Sequence, residues 1–242
     1  MAFWTPLHRA AFFGQIDVIK NLISEGADAN KEDNGGQTAL HCAAINGHID
    51  IIKNLISEGA DANKEDNGGQ TALHRAAFFG QIDVIIYLIS EGADANKEDN
   101  GGQTALHCAA INGHIDIIKN LISEGADANK EDNGGEVNQN PGDQHALLLK
   151  DDPLEVNKAD NEGRTALHIA VQHGYINVVK FLLTSGARSD TEDIRGQTPL
   201  HHSITIGHID IAALLIDKLN AKKLPSADHI NYAYAVSDSI NG

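Results

Sequence analysis

Apolar residues recur at helical spacing in two short segments of each stretch of 33 residues. The second stretch shows both stripes, which comprise Leu40, Ala43 and Ala44 and then Ile49, Ile52, Leu55 and Ile56. Thr38 precedes the first stripe as a candidate helix N-cap, and Gly47 and Gly59 follow the two stripes as stop signals. The pattern predicts a helix of about ten residues, a tight turn and a second helix of about eight residues.

A polar segment of sequence DANKEDNGGQ ends each early stretch. Its Asn67-Gly68 pair is typical of a two-residue hairpin turn in which both central residues have positive φ. We therefore expect a β-hairpin between the second helix of one stretch and the first helix of the next.

The whole pattern repeats along the chain. Copies of T-x-L-H-x-A-A-x-x-G or close variants of it begin at Thr5, Thr38, Thr71, Thr104, Thr165 and Thr198. Residues 5–37 match 71–103 at all but three positions, so the unit that was copied spans 66 residues. One such unit would expose its apolar faces, and stacking on neighbours would bury them, which predicts a solenoid.

The box sequences TPLHRA at 5–10 and TPLHHS at 198–203, with TALH in the other four units, resemble the ankyrin repeat over residues 5–220. The resemblance implies an all-α repeat solenoid: a stack of helix-turn-helix units with β-hairpin tips, six full repeats and one degenerate repeat. It also implies a concave face of first helices and hairpin tips, and a convex back of second helices. It further raises hydroxylation at Asn30, Asn63, Asn96 or Asn129, against the simpler interpretation that these side chains bond the hairpin backbone.

One stretch departs from the period, because Asn129 and Asn157 are 28 residues apart where 33 are expected. We expect residues 137–163 to form a shortened, degenerate repeat with a loop. The alternative is an excluded loop, with the Thr104 and Thr165 units stacked directly. The expected divisions are an N-terminal cap with four repeats at 1–136, the degenerate repeat at 137–163, two repeats at 164–220 and a capping helix with tail at 221–242. Phe3 and Trp4 are expected to cover the first repeat, and residues 227–238 the last.

Composition narrows the class of protein. The chain has 242 residues, and its 18 Lys and Arg against 34 Asp and Glu give a net charge of −16, all of it within residues 1–163. Such a surface disfavours nucleic acid and could instead steer a basic partner. No apolar run is long enough for a membrane span, and no secretion signal is visible, so we expect a cytoplasmic protein, with secretion as a host-directed effector left open.

Reactive chemistry is not indicated. Six of the 13 histidines close the T-x-L-H box, and His48, His114 and His208 open second helices, which are structural positions in ankyrin-like units. The remaining four lack the spacing of a metal site. Cys42 and Cys108 lie two repeats apart, beyond disulfide reach. We expect no catalytic residues, metal or cofactor.

Variation along the first helices marks a candidate binding face. In ankyrin-like stacks the position after the box His and the last two positions of the first helix face the groove. The candidate protein-binding residues are Arg9, Phe12, Phe13, Ile45, Asn46, Arg75, Phe78, Phe79, Ile111, Asn112, Gln172 and His173. Aromatic and Arg side chains dominate binding hot spots. One Phe of each pair is expected to pack inward between units.

These features predict a monomeric, non-catalytic scaffold that binds a protein partner through its concave face, and the acidic surface could favour a partner with a basic surface. The alternatives are a structural spacer array within a larger protein or effector, and an enzyme or metal site near Cys42 and Cys108.

Overall fold

The computed structural model describes residues 4–127 and 156–222. These two ranges contain twelve helices, which form six pairs of a first and a second helix. The pairs are α1 (Pro6–Phe12) with α2 (Ile16–Ser24), α3 (Ala39–Asn46) with α4 (Ile49–Ser57), α5 (Ala72–Phe79) with α6 (Ile82–Ser90), α7 (Ala105–Ile111) with α8 (Ile115–Asp127), α9 (Ala166–Gln172) with α10 (Ile176–Thr184), and α11 (Pro199–Ile206) with α12 (Ile209–Lys222).

The helix boundaries follow the residues that predicted them. Thr38 is the extended N-cap of α3, and Gly47 ends that helix with a left-handed φ of 74°. Pro6 begins α1, where its missing N–H costs no helical hydrogen bond. First helices have seven or eight residues, fewer than the ten predicted, because the turn glycine and its neighbour already belong to the connection.

Each first helix packs against the first helix of the next described repeat, in the order α1, α3, α5, α7, α9, α11. The small residues Ala43 and Ala44 are fully buried in this seam and allow close approach, while Leu40 fills the space between layers. Second helices form a parallel row behind them and contribute buried residues such as Ile52 and Leu55. The stack therefore has one continuous apolar core.

The loops between repeats differ from the predicted hairpins. The described residues form no strand, and a single bridge joins Ala159 to Thr165. Asn67 does not have positive φ, whereas Gly69 does, at 76°. The N–H of Gly69 donates to the carbonyl of Asp66 at 2.9 Å, and the N–H of Asp66 donates to Gln70 O at 2.9 Å. This is a four-residue turn closed by a left-handed glycine, not a two-residue Asn-Gly turn.

The fourth and fifth helix pairs pack directly on each other. His107 Nε2 donates to Arg164 O at 3.2 Å, the bond that His74 makes to Gln103 O at 3.0 Å between the third and fourth pairs. The N–H of Asn161 also donates to Gly101 O at 2.8 Å. These contacts correspond to the alternative arrangement considered from the sequence.

Residues 156–164 supply the tip loop beside α7, so the described residues of the Thr104 and Thr165 units meet directly, where a shortened repeat at 137–163 was expected between them. Asn157 Nδ2 donates to Gly186 O at 3.2 Å, as Asn63 does to Gly92 O at 2.9 Å, and so takes the place expected for Asn129. Residues 137–155 lie outside the described ranges.

At the first repeat, the ring of Trp4 packs against Phe12 with centroids 5.1 Å apart, as expected of a cap. At the last repeat, Ile204 is 60% exposed, whereas the equivalent Val171 and Ala110 are fully buried by the repeat that follows them. Phe3 and the predicted capping helix at 227–238 lie outside the described residues. No helix in the described ranges is long and apolar enough to span a membrane.

Candidate protein-binding surface

The box histidines connect each repeat to the next. The N–H of Thr71 donates to His74 Nδ1 at 3.1 Å, so that nitrogen is unprotonated, and Nε2 donates to Gln103 O at 3.0 Å. Burial lowers the pKa of His74, against smaller opposing effects that include its bond to Gln103. The neutral ring of His74 bonds with both Thr71 and Gln103, whereas a second proton, on Nδ1, would point at the Thr71 N–H. The box histidines are therefore structural, as predicted.

The second set of histidines joins neighbouring repeats at the other end of the first helix. His48 Nε2 approaches Phe12 O at 3.1 Å, and His114 Nε2 approaches Phe78 O at 3.0 Å. Gly14 supplies the space, because a Cβ there would lie 2.8 Å from the His48 ring. In the third repeat Gln81 makes the corresponding bond to Ile45 O at 3.1 Å. These contacts hold the carbonyl ends of the first helices at a fixed distance.

Two of the other four histidines are in the described ranges. His202 is buried and lies 2.9 Å from Asp193 Oδ2, and His173 is exposed and stacks on the ring of Tyr175 at 5.7 Å. His145 and His229 lie outside the described residues. Among the described residues, no three His, Cys, Asp or Glu side chains are arranged to hold a metal ion.

The two cysteines are free thiols inside the core. Burial raises the pKa of both Cys42 and Cys108 to about 12. A thiol with this pKa is almost entirely protonated at neutral pH, and the thiolate is the nucleophile. Neither cysteine has the lowered thiol pKa that is typical of a nucleophilic cysteine.

The aromatic candidates lie at the carbonyl ends of α1 and α5. Phe13 is 61% exposed, Phe78 is 38% exposed and Phe79 is 45% exposed, while Phe12 is half-buried under Trp4. The expectation that one Phe of each pair packs inward fits Phe12 but is wrong for the third repeat, where both rings remain exposed. The rings of each pair meet edge to face, at 5.3 Å for the first pair and 5.1 Å for the second.

The two arginine candidates differ in their surroundings. Arg75 Nη2 donates to Asp66 Oδ2 at 2.6 Å, with the Asp66 side chain 4% exposed and that of Arg75 27% exposed. Burial alone would raise the pKa of Asp66, but hydrogen bonds from Arg75, Gln70 and Gly68 outweigh it and lower the pKa. Arg9 is exposed. The guanidinium of Arg75 is thus held against the preceding tip loop, on the helix that carries Phe78 and Phe79 at its other end.

The remaining candidates form a more polar surface. The amide of Asn46 donates to Phe12 O at 3.0 Å, and that of Asn112 donates to Phe78 O at 2.8 Å. Ile45 and Ile111 are half-buried, so the second and fourth repeats offer little exposed apolar area. In the fifth repeat, the half-buried Gln172 lies 3.3 Å from His202 Nδ1, beside the exposed His173.

An Asp of each tip loop was not singled out from the sequence. Asp66 Oδ1 accepts the N–H groups of Gly68 at 2.8 Å and Gln70 at 3.0 Å, and Asp33, Asp99, Asp160 and Asp193 repeat this geometry. The signal was an Asp three residues before a Gly in each of these five loops, where the Asp side chain can accept backbone N–H groups of its own turn. These aspartates therefore organise the tip loops.

Asn30 uses both ends of its amide side chain. Its Nδ2 donates to Gly59 O and its Oδ1 accepts the N–H of Asp61, each at 2.8 Å, which supports the structural interpretation of these asparagines.

Comparison with known families agrees with this architecture. A family model for ankyrin repeats matches the chain three times, at residues 7–99, 53–132 and 139–227. The chain belongs to the ankyrin-repeat family. Ankyrin repeats generally mediate protein–protein interaction and are generally non-catalytic.

A curated relative shares one part of this ankyrin-repeat chain. The serine/threonine-protein kinase VIK of Arabidopsis thaliana is 43% identical over 56 residues, which are 23% of this chain and 13% of the kinase. The match thus spans about an eighth of that protein's length.

Proposed function

We propose that this protein is a non-catalytic scaffold that binds a partner protein through the concave face of its repeat stack. The observation that carries the proposal is the row of exposed Phe13, Phe78 and Phe79 on first helices, because large apolar groups here are neither needed for stacking nor covered by a described neighbour. Exposed aromatic side chains on helices that also carry an arginine have the composition of binding hot spots.

The chemistry of the described residues supports a binding role over an enzymatic one. The box histidines are committed to backbone partners, and both thiols are buried and protonated. No described group of side chains pairs a nucleophile with a free base. We infer that the protein needs no cofactor or metal for this function, and that its buried free thiols suit a reducing compartment such as the cytoplasm.

The test is affinity capture with a variant of the proposed face and a control variant that truncates an exposed apolar residue elsewhere. Wild type, the triple variant F13A/F78A/F79A and the control I86A would each be used as bait. Ile86 is 46% exposed but lies on the second helix α6, so its loss removes apolar surface from the back of the stack. We expect the same partner with wild type and I86A, and loss of at least about thirtyfold in affinity with the triple variant. Equal capture by all three would refute the proposed face.

A structural spacer is the second candidate function. The near identity of residues 5–37 and 71–103 favours it, because the length of an array can change by duplication without selection on a binding face. It predicts that wild type captures no partner that the triple variant loses.

A further inference from the structure

The exposed aromatic surface exists in two copies. The first patch is Arg9, Phe12 and Phe13 on α1, and the second patch is Arg75, Phe78 and Phe79 on α5. They derive from the same 66-residue duplication, and α3 lies between their helices. A partner that contacts one patch therefore meets a second set of exposed aromatic side chains at a fixed distance.

Both patches are held in the same way by the repeat that follows. The carbonyl of Phe12 receives the Asn46 amide and lies 3.1 Å from His48 Nε2, and the carbonyl of Phe78 has the equivalent partners in the fourth repeat. These bonds fix the backbone that carries each pair of rings. Preorganised aromatic groups lose little entropy on binding, which favours their use as anchor sites.

The distance between the patches sets the length of the partner segment. Adjacent packed helices are about 8 to 10 Å apart, so two steps along the stack separate the patches by about 16 to 20 Å. An extended chain rises about 3.3 Å per residue, and its side chains alternate between two faces. Anchors that point to the same side and span this distance are therefore about six residues apart.

The second repeat lies between the two patches and offers a surface that a bound segment could cross. Ile45 is half-buried, and the amide of Asn46 is used on Phe12 O. This surface can accept the polar backbone and small side chains of a segment that crosses it, but it offers no third aromatic anchor site.

Charge complements the apolar anchors. Residues 1–103 contain seven Lys and Arg against 15 Asp and Glu. Asp17 and Asp83 are exposed and follow Phe13 and Phe79 by four residues, and neither makes an ion pair within the described ranges. The excess of negative charge in these repeats therefore favours a segment that carries lysine or arginine.

We propose that the concave face binds an extended, basic peptide segment that carries two large apolar side chains six positions apart, one for each patch. This inference rests on the proposed function and adds the chemistry and geometry of the partner segment. Two anchors on one segment bind together because the first contact raises the effective concentration of the second.

Selection from random peptides tests the spacing without a known partner. A displayed library of peptides of about 16 residues, long enough to cross both patches when extended, would be enriched on the immobilised full chain. Selected sequences would be synthesised, and their affinities measured for wild type, F13A, F78A/F79A and I86A. We expect large apolar residues at positions i and i+6 with flanking Lys or Arg, and a loss of at least about tenfold in affinity with F13A and with F78A/F79A but not with I86A.

A second set of synthetic peptides fixes the register. Moving one anchor by one position places it on the opposite face of the extended segment, so the i+5 and i+7 versions should bind no better than a peptide with a single anchor. Equal affinity of all three spacings would overturn the inference.

The remaining outcomes separate the inference from the proposed function. Peptides with a single anchor that are sensitive only to F78A/F79A would overturn the two-anchor inference while leaving the concave face as the binding surface. Failure to enrich any peptide on wild type over F13A/F78A/F79A would contradict both.

Discussion

The glycines of the tip loops provide a direct test of the stacking contacts. Gly69 has φ of +76°, and a Cβ at this position would lie 2.7 Å from the backbone nitrogen of Asn100 in the next tip loop. That nitrogen donates to Gly68 O at 2.9 Å, so the contact cannot relax without loss of a hydrogen bond between repeats. Gly69→Ala should therefore disturb the stack as well as its own turn.

The magnitude follows from two separate costs. A left-handed conformation costs an L-residue about 1 to 2 kcal/mol, and overpacking against backbone adds about 1 to 3 kcal/mol. Gly59→Ala is the matched control, because Gly59 has φ of +84° in an interior repeat but no atom within 4 Å of its Cβ position. We expect Gly69→Ala to lower the free energy of unfolding by about 2 kcal/mol more than Gly59→Ala.

Urea unfolding followed by far-UV circular dichroism measures the difference. Repeat arrays can unfold in parts, so the slope m must be compared as well as the midpoint. Gly196→Ala gives a second control, because Gly196 is the equivalent glycine of the last described tip loop and no atom lies within 4 Å of its Cβ position. Equal destabilisation by all three substitutions would refute the claim that tip loops pack backbone against backbone.

Three further predictions concern ionisable groups. Burial lowers the folded-state pKa of the box histidines His41, His74, His107 and His168, so the unfolded chain binds more protons than the folded chain below about pH 6.5. The free energy of unfolding should therefore fall as pH decreases from about 7.5 to 5, by up to about 1.4 kcal/mol per pH unit for each site. A free energy that stays constant or rises over this range in urea titrations would contradict the assignment of these histidines. With pKa values of about 12, Cys42 and Cys108 should react with iodoacetamide about a thousandfold more slowly in the native protein than in urea, and rapid native alkylation followed by mass spectrometry would show that the core opens readily. Asp66→Asn should lower the free energy of unfolding by about 2 to 3 kcal/mol, because it leaves the partly buried Arg75 without its ion pair. An unchanged urea midpoint would exclude a stabilising role for this pair.

Most of the fold could be predicted from the sequence because each local signal agrees with the repeat. Thr38, Leu40 and Gly47 each specify part of one helix, and their spacing recurs in every copy. The box histidines were assigned correctly for the same reason, since a repeated position with one chemical requirement indicates a structural role.

The turn type and the insertion were harder to predict. Asn67-Gly68 is a strong hairpin signal on its own, but the following Gly69 takes the left-handed conformation, in a turn that the Asp66 carbonyl and side chain close by accepting the N–H groups of Gly69 and Gly68. Likewise, the 28-residue interval could be a short repeat or an excluded segment, and the choice depends on which tip loop meets α7, a contact distant in sequence.

The candidate surface was predicted by position more accurately than by exposure. Phe12 and Phe78 are equivalent in sequence, yet Trp4 covers only Phe12, because the N-terminal residues have no counterpart before the third repeat. The Asp66 and Arg75 pair was missed because the two residues are nine apart and meet through the fold of the loop.

The most direct test of the central claim is the affinity of a purified captured partner for wild type and for F78A/F79A, measured by isothermal titration calorimetry. The two rings are exposed on α5 and support no described stacking contact of the core, so the variant should unfold at the same urea concentration as wild type. We expect the dissociation constant to rise about thirtyfold or more in a fully folded variant. An unchanged dissociation constant would contradict the central claim.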